Sequence, residues 1–238
     1  MAHPDDTELT AAGLSLLVTA SGGVAQHLSV TDGQSGHPTI PPQKLIGIRR
    51  SEADAAAAAC GATAEHLGYV DGSLQPTLEA RRSVIEAIRR FSPDVVVTPR
   101  TVDYHPDHRV TAQLVQDSCL LAAEEGILPE VPALAQVPVL LYAFDEFTRP
   151  VPHRSDLIVD ISKVVESKID ALLLHRSQFL EWLSWTDDRE DAAPTDHQER
   201  VEMTRESLRA RFKNEEKFEI SEYGSAVEPA ALRVLLGV

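Results

Sequence analysis

Two short segments carry the residues best suited to chemistry: Ala2-His3-Pro4-Asp5-Asp6 and His105-Pro106-Asp107-His108-Arg109. Together they supply three imidazoles and a pair of adjacent carboxylates, each set beside a proline that stiffens the backbone. A hydrolytic metal site takes three protein ligands of histidine and carboxylate type and leaves one position for water. His3, Asp6 and His108 can supply those three. Asp5 and Asp6 are neighbours, so their carboxylates diverge in an extended or turning segment, and one can ligate a metal while the other reaches its water.

The elements that must position these motifs follow from the pattern of apolar runs. Apolar β-like segments alternate with helical-period segments, which predicts an α/β fold with a parallel or mostly parallel sheet covered by helices. Strands are expected over Val24–Thr31, Asp94–Thr98, Asp156–Ile161 and near Phe218–Tyr223. Helices are expected over Gln43–Cys60, Arg81–Phe91, His108–Ala123 and Val164–Leu183, with a further charged helix running through Phe212. The acidic stretch Trp185–His197 reads as an exposed loop. Ligands of open α/β sheets bind beyond the carboxyl ends of the strands, and His105 and His108 follow Val95-Val96-Val97 directly. No apolar strand is visible before His3.

The chain has 238 residues with 43% hydrophobic side chains, enough for one well-buried core, and one domain over residues 1–238 is expected. A net charge of −15 argues against nucleic acid or an anionic membrane surface as a partner. A small neutral or cationic molecule fits better, and either a monomer or a homo-oligomer is compatible with the sequence. Cys60 and Cys119 lie in no paired-ligand spacing and read as buried, reduced thiols. With neither a basic, apolar leader nor a run of about 18 apolar residues, a cytoplasmic location is expected.

The two motifs resemble those of the LmbE-like, or PIG-L, family of metal-dependent N-deacetylases, which pair an Ala-His-Pro-Asp-Asp segment with a later His-Pro-Asp-His. The resemblance continues through Thr31-Asp32-Gly33, Arg49-Arg50-Ser51-Glu52, Leu67-Gly68-Tyr69-Val70-Asp71-Gly72 and His175-Arg176-Ser177-Gln178. It implies a Rossmann-like sheet with helices on both faces and, normally, a strand ahead of the first motif. It further implies Zn2+ held by His3, Asp6 and His108, with Fe2+ or another divalent metal as alternatives, and Asp5 as the general base. His105 would stabilise the tetrahedral intermediate as an imidazolium, with Asp107 either holding that ring or capping the following helix. Arg49 and Asp71 match positions that contact substrate hydroxyls, and Tyr104 can donate to the oxyanion. Glu8, displaced by Thr7 from the family's acidic position, is set aside. His27, His37, His66, His153 and His197 have no comparable company, and His175 reads as a satisfied core residue.

The reaction so implied is hydrolysis of an N-acetylated amino sugar or its conjugate. The same residues would serve an amidase acting on a sugar-thiol conjugate or a non-sugar amide. Two histidines and a carboxylate also match non-haem iron oxygenases, but those commonly use all-β scaffolds. A degenerate, non-catalytic metal-binding protein is the remaining reading.

Overall fold

A computed structural model describes residues 1–182 and 196–238. Its elements run α1 (Asp6–Ala20), β1 (Gln26–Thr31), α2 (Pro42–Ala59), β2 (Thr63–Tyr69), α3 (Leu78–Phe91), β3 (Val95–Thr98), α4 (Pro106–Leu121), β4 (Val139–Ala143), β5 (Leu157–Asp160), α5 (Val165–Leu174), a π-helical turn (Ser177–Trp182), α6 (His197–Arg211), β6 (Glu215–Ile220) and α7 (Pro229–Leu236). The fold is α/β, and the chain forms two compact units. One contains His3–Asp71, Val159–Glu216 and Gly237–Val238; the other contains Met1–Ala2, Gly72–Ile158 and Lys217–Leu236. The first motif therefore belongs mainly to one unit and the second motif to the other.

In the first-motif unit, β1 and β2 pair in parallel, with His27 opposite Ala64 and Ser29 opposite His66. Helix α2 packs on β2, and both α1 and α2 pack on α5. Ala12, Cys60 and Ala171 form a buried seam of small side chains with Leu16 and Ala62 against it. Burial pushes the Cys60 and Cys119 thiols up to about 12, in keeping with two inert structural cysteines.

Helix α1 is apolar on nearly all sides, and a buried ion pair is set against its middle. Lys168 Nζ donates to Leu9 O at 2.9 Å and to Glu216 Oε1 at 2.7 Å, while the Glu216 carboxylate accepts the Gly13 and Leu14 N–H at 2.8 and 2.7 Å. The pair thus sits where the Leu9 to Gly13 bond of a regular helix would lie. This close approach requires glycine: a Cβ at position 13 would fall 2.5 Å from Ile161 Cγ2.

In the second-motif unit, α3 packs on α4, and β3 pairs in parallel with β4. Helix α3 starts earlier than periodicity suggests because Thr77 Oγ1 caps it, accepting the Ala80 N–H at 3.1 Å. Its last turn ends at Ser92 in the left-handed region, just before Pro93.

The expectation of one mostly parallel sheet is corrected in two respects. Hydrogen bonding makes two sheets, a pair β1-β2 and a four-stranded sheet of order β3-β4-β6-β5. Among the described residues no other strand bonds to β1 or β3 on its second edge, so no ladder joins the pair to the larger sheet. The larger sheet is mixed, because β6 enters antiparallel to β4 with Tyr142 opposite Glu219.

The single helix expected over Val164–Leu183 is also broken. The Ser177 N–H and hydroxyl are both claimed by Glu52, at 2.9 and 2.6 Å, so the regular ladder cannot continue past His175. Of the loop expected over Trp185–His197, residues 185–195 lie outside the described residues. Asp196 caps α6 by accepting the Gln198 and Glu199 N–H, so His197 opens a helix. Among the described residues no helix is long and apolar enough to cross a membrane.

Candidate active site

The first motif turns tightly into α1, with the Asp5 N–H donating to His3 O at 3.0 Å. Asp6 then reaches back: its Oδ2 accepts the His3 N–H at 2.8 Å and lies 3.3 Å from His3 Nδ1. On the other side of the ring, Asp71 Oδ1 is 3.1 Å from His3 Nε2. Asp71 is placed by the loop after β2, where its Oδ2 accepts the Ser35 N–H at 3.0 Å and its own N–H donates to Asp32 Oδ1 at 3.2 Å. Burial opposes the Asp71 charge, but the His3 bond and charge, the Ser35 N–H and the Arg49 guanidinium outweigh it and hold the carboxyl below its ordinary value.

Asp5 diverges from Asp6, as the sequence leads one to expect. Its Oδ1 accepts Arg49 Nη2 at 2.6 Å, and Arg49 Nη1 donates to Gly33 O at 3.2 Å. Arg49 is buried within α2. A Cβ at Gly33 would lie 2.6 Å from Arg49 Nη1, and Gly33 has a φ of +67°, so this turn needs glycine on both counts. The charged groups of Arg49 and Asp71 are thus engaged by Asp5 and His3.

Helix α4 positions the second motif. His105 is its N-cap, with Nδ1 accepting the Asp107 N–H at 3.2 Å, and Pro106 occupies the first turn. That bond engages Nδ1 and leaves Nε2 as the ring atom for another partner. Asp107 therefore does not cap the helix; its buried carboxylate accepts the Gly72 and Leu74 N–H at 2.7 and 3.3 Å. Asp103, which sequence reasoning missed, serves both histidines. Its Oδ1 accepts the His105 N–H at 2.8 Å and its Oδ2 lies 3.0 Å from His108 Nδ1. A carboxylate behind one ring nitrogen presents the other as a metal ligand. Tyr104 is exposed, edge-on to His105 with ring centroids 5.8 Å apart.

His3, set between Asp6 and Asp71, offers donors of the type that zinc and iron(II) take, and so, separately, does His108 backed by Asp103, so each donor set is chemically suited to a divalent metal.

A shallow cleft adjoins the first motif and is lined by His3, Asp5, Glu8, His27, Ser29 and His66 among others. In its wall, Glu8 lies between two histidines, 2.7 Å from His27 Nδ1 and 3.1 Å from His175 Nε2, and Ser15 Oγ is 2.8 Å from His27 Nε2. His66 bridges Ser29 and Asp54 at 2.7 and 2.9 Å. His27 and His66 thus have the partners that sequence reading did not find, because those partners lie on other elements.

Burial disfavours the Glu8 charge, but bonds to His175 and His27 and their charges pull the carboxyl down from 4.5 to about 2. A folded value below the unfolded one contributes stability that is fully present above the unfolded value and lost as pH falls towards about 2. Between pH 5 and 2.5, the urea midpoint of the native protein should fall more steeply than that of Glu8→Gln, reflecting ~3 kcal/mol of linked stability. Parallel pH profiles would show that Glu8 carries none of it.

Residues 1–119 match the PIG-L family model, described as GlcNAc-PI de-N-acetylase. The chain belongs to the PIG-L family. This PIG-L member is 29% identical over 191 residues to the diacetylchitobiose deacetylase of Thermococcus kodakarensis, covering 77% of this chain and 70% of that one. It is also 27% identical over 191 residues to the 4-oxalmesaconate hydratase of Pseudomonas putida, covering 74% and 71%. Among solved structures, the N,N'-diacetylchitobiose deacetylase of Pyrococcus horikoshii matches with a TM-score of 0.73 at 24% identity, over 93% of this chain and 81% of that one, which shows a shared fold. Relatives of this PIG-L member thus include a deacetylase and a hydratase.

Proposed function

We propose that this protein is a metal-dependent N-deacetylase acting on an N-acetylated amino sugar or its conjugate, with His3, Asp6 and His108 as the metal ligands. The observation that carries the reading is the divergence of two adjacent carboxylates, Asp6 on His3 and Asp5 on Arg49, in a member of the PIG-L family. A bound zinc or iron(II) would lower the pKa of its water to about 7 and polarise the amide carbonyl. Asp5, oriented by Arg49, would take a proton from the attacking water at its carboxylate and pass it to the departing amine. His105 donates its Nε2–H to the oxyanion, and Tyr104, Arg49 and Asp71 border the substrate.

Primary-amine release from a panel of N-acetylglucosamine derivatives tests this reading. A second reading, hydration of an unsaturated acid, is favoured by the hydratase relative alone. It predicts loss of double-bond absorbance with no amine released. Three variants separate the histidine roles: His108→Ala should lose bound metal, and His105→Ala should keep the metal and lower kcat. Asp103→Ala should weaken metal binding about 10- to 100-fold. Equal metal retention in His108→Ala and His105→Ala would contradict this division.

A further inference from the structure

Strands β3 and β4 run parallel, so the loops that leave their carboxyl ends emerge at the same edge of the sheet. The loop after β3 carries Arg100, Tyr104 and His105, and the loop after β4 carries Asp145 and Phe147. One clasp ties them. Arg100 Nε donates to Asp145 Oδ2 at 2.6 Å and Nη2 donates to Asp145 Oδ1 at 2.5 Å, a bidentate pair. The same guanidinium donates to Phe147 O at 3.0 Å and Val151 O at 2.9 Å, and Asp145 Oδ1 accepts the Phe147 N–H at 2.9 Å. Arg100 is buried, and the Asp145 bond, against the opposing effect of burial, pushes its pKa up from the ordinary guanidinium value.

The clasp fixes the backbone of Phe147 on both sides, and its ring then stands 6.4 Å from Tyr104 at an interplanar angle of 43°. Tyr104 lies against both second-motif histidines, 5.8 Å from His105 and 6.0 Å from His108. Phe144 is differently employed, edge-on to His153 at 5.3 Å. The result is a two-ring aromatic wall beside His105 and His108, built on side chains with few rotatable bonds and held by a buried ion pair. An aromatic pair of this kind, with Tyr104 exposed and Phe147 half-buried, suits a ligand that is polar at its rim and apolar on one face. A pyranose ring is such a ligand, because its axial C–H bonds gather on one side and meet the negative face of an aromatic ring.

We infer that Tyr104 and Phe147 form the subsite that holds the sugar ring, and that the Arg100–Asp145 pair is the positioning device that builds it. This deepens the proposed deacetylase reading and rests on it for the choice of a sugar. The subsite favours amides borne on a pyranose over acyclic amides of the same acyl group, and it acts on binding and not on the bond-breaking step.

The test compares native enzyme, Phe147→Ala, Phe147→Tyr and Arg100→Met on N,N'-diacetylchitobiose and on acyclic N-acetylethanolamine. Phe147→Ala should raise KM for the disaccharide about tenfold, the loss of one aromatic contact, with kcat and the acyclic amide unaffected. Phe147→Tyr should restore KM, and Arg100→Met should behave as Phe147→Ala does. Saturation-transfer NMR with the same disaccharide provides a readout that needs no turnover: ring-proton saturation should be present in the native protein and lost in Phe147→Ala. Ring-proton saturation that depends on Phe147, without amine release, would sustain the subsite and defeat the deacetylase reading. Unchanged KM in Phe147→Ala, equal losses on both amides, or no saturation in the native protein would overturn the subsite.

Discussion

Replacing Asp5 with asparagine is expected to lower kcat by about 10²- to 10⁴-fold while leaving the bound metal in place. The amide has nearly the same shape and its oxygen can still accept from Arg49 Nη2, which holds Asp5 Oδ1 at 2.6 Å in the native protein. What it loses is the ability to take a proton. The neighbouring substitution should behave differently. Asp6 is the carboxylate that faces His3, accepting its N–H at 2.8 Å and lying 3.3 Å from its ring. Asp6→Asn should therefore lose metal along with activity. Metal content by emission spectrometry, read beside kcat for both variants, separates the two roles. Metal lost from Asp5→Asn and kept in Asp6→Asn would reverse the assignment of the pair.

The largest effect on stability is expected at Lys168. Its side chain is almost wholly buried, bonded to Glu216 and Leu9 O, and its ammonium stands 4.2 Å above the Phe212 ring. Lys168→Met leaves the Glu216 carboxylate buried with the Gly13 and Leu14 N–H but no cation. Removing one partner of a buried pair costs about 3 to 5 kcal/mol, because the remaining charge is uncompensated. For a chain of this size the melting temperature should fall by on the order of 10 °C. Replacing both partners, Lys168→Met with Glu216→Gln, should recover much of that loss. A single variant that melts within two or three degrees of the native protein would show that the pair contributes little (~1 kcal/mol).

The candidate groups were legible in the sequence where they are local, and obscure where they depend on distant partners. His3, Asp5 and Asp6 sit in five consecutive residues, and His105 and His108 in four, so types and spacing offer a candidate ligand set, while the separate roles of Asp5 and His105 rest on the family resemblance. The strand at Val95–Thr98 was visible as a valine run, and the helix of Pro42–Ala59 as a stretch of helix formers after two prolines. Helix α1 gave no such signal: its apolar residues surround it, so no stripe marks a face. Strand β4, Val-Leu-Leu-Tyr-Ala, is buried throughout and shows no alternation. Strand β2 and α7 passed without notice as well. Glu8 is set aside in the sequence because Thr7 stands at the family's acidic position, and its two partners, His27 and His175, lie on β1 and beyond α5, where sequence does not reveal them. Asp103 was missed because an aspartate two residues before a histidine reads as a turn residue until its carboxylate is seen to serve both His105 and His108.

Amine release from N,N'-diacetylchitobiose, by protein stripped with chelator and then titrated with zinc, is the most direct test of metal-dependent deacetylation. No release is expected from the stripped protein, then a rise as zinc is added and a plateau at about one equivalent per chain, as for a single catalytic site. Release that persists in the stripped protein, or that stays absent from metal-loaded protein across the N-acetylglucosamine panel, would contradict metal-dependent deacetylation.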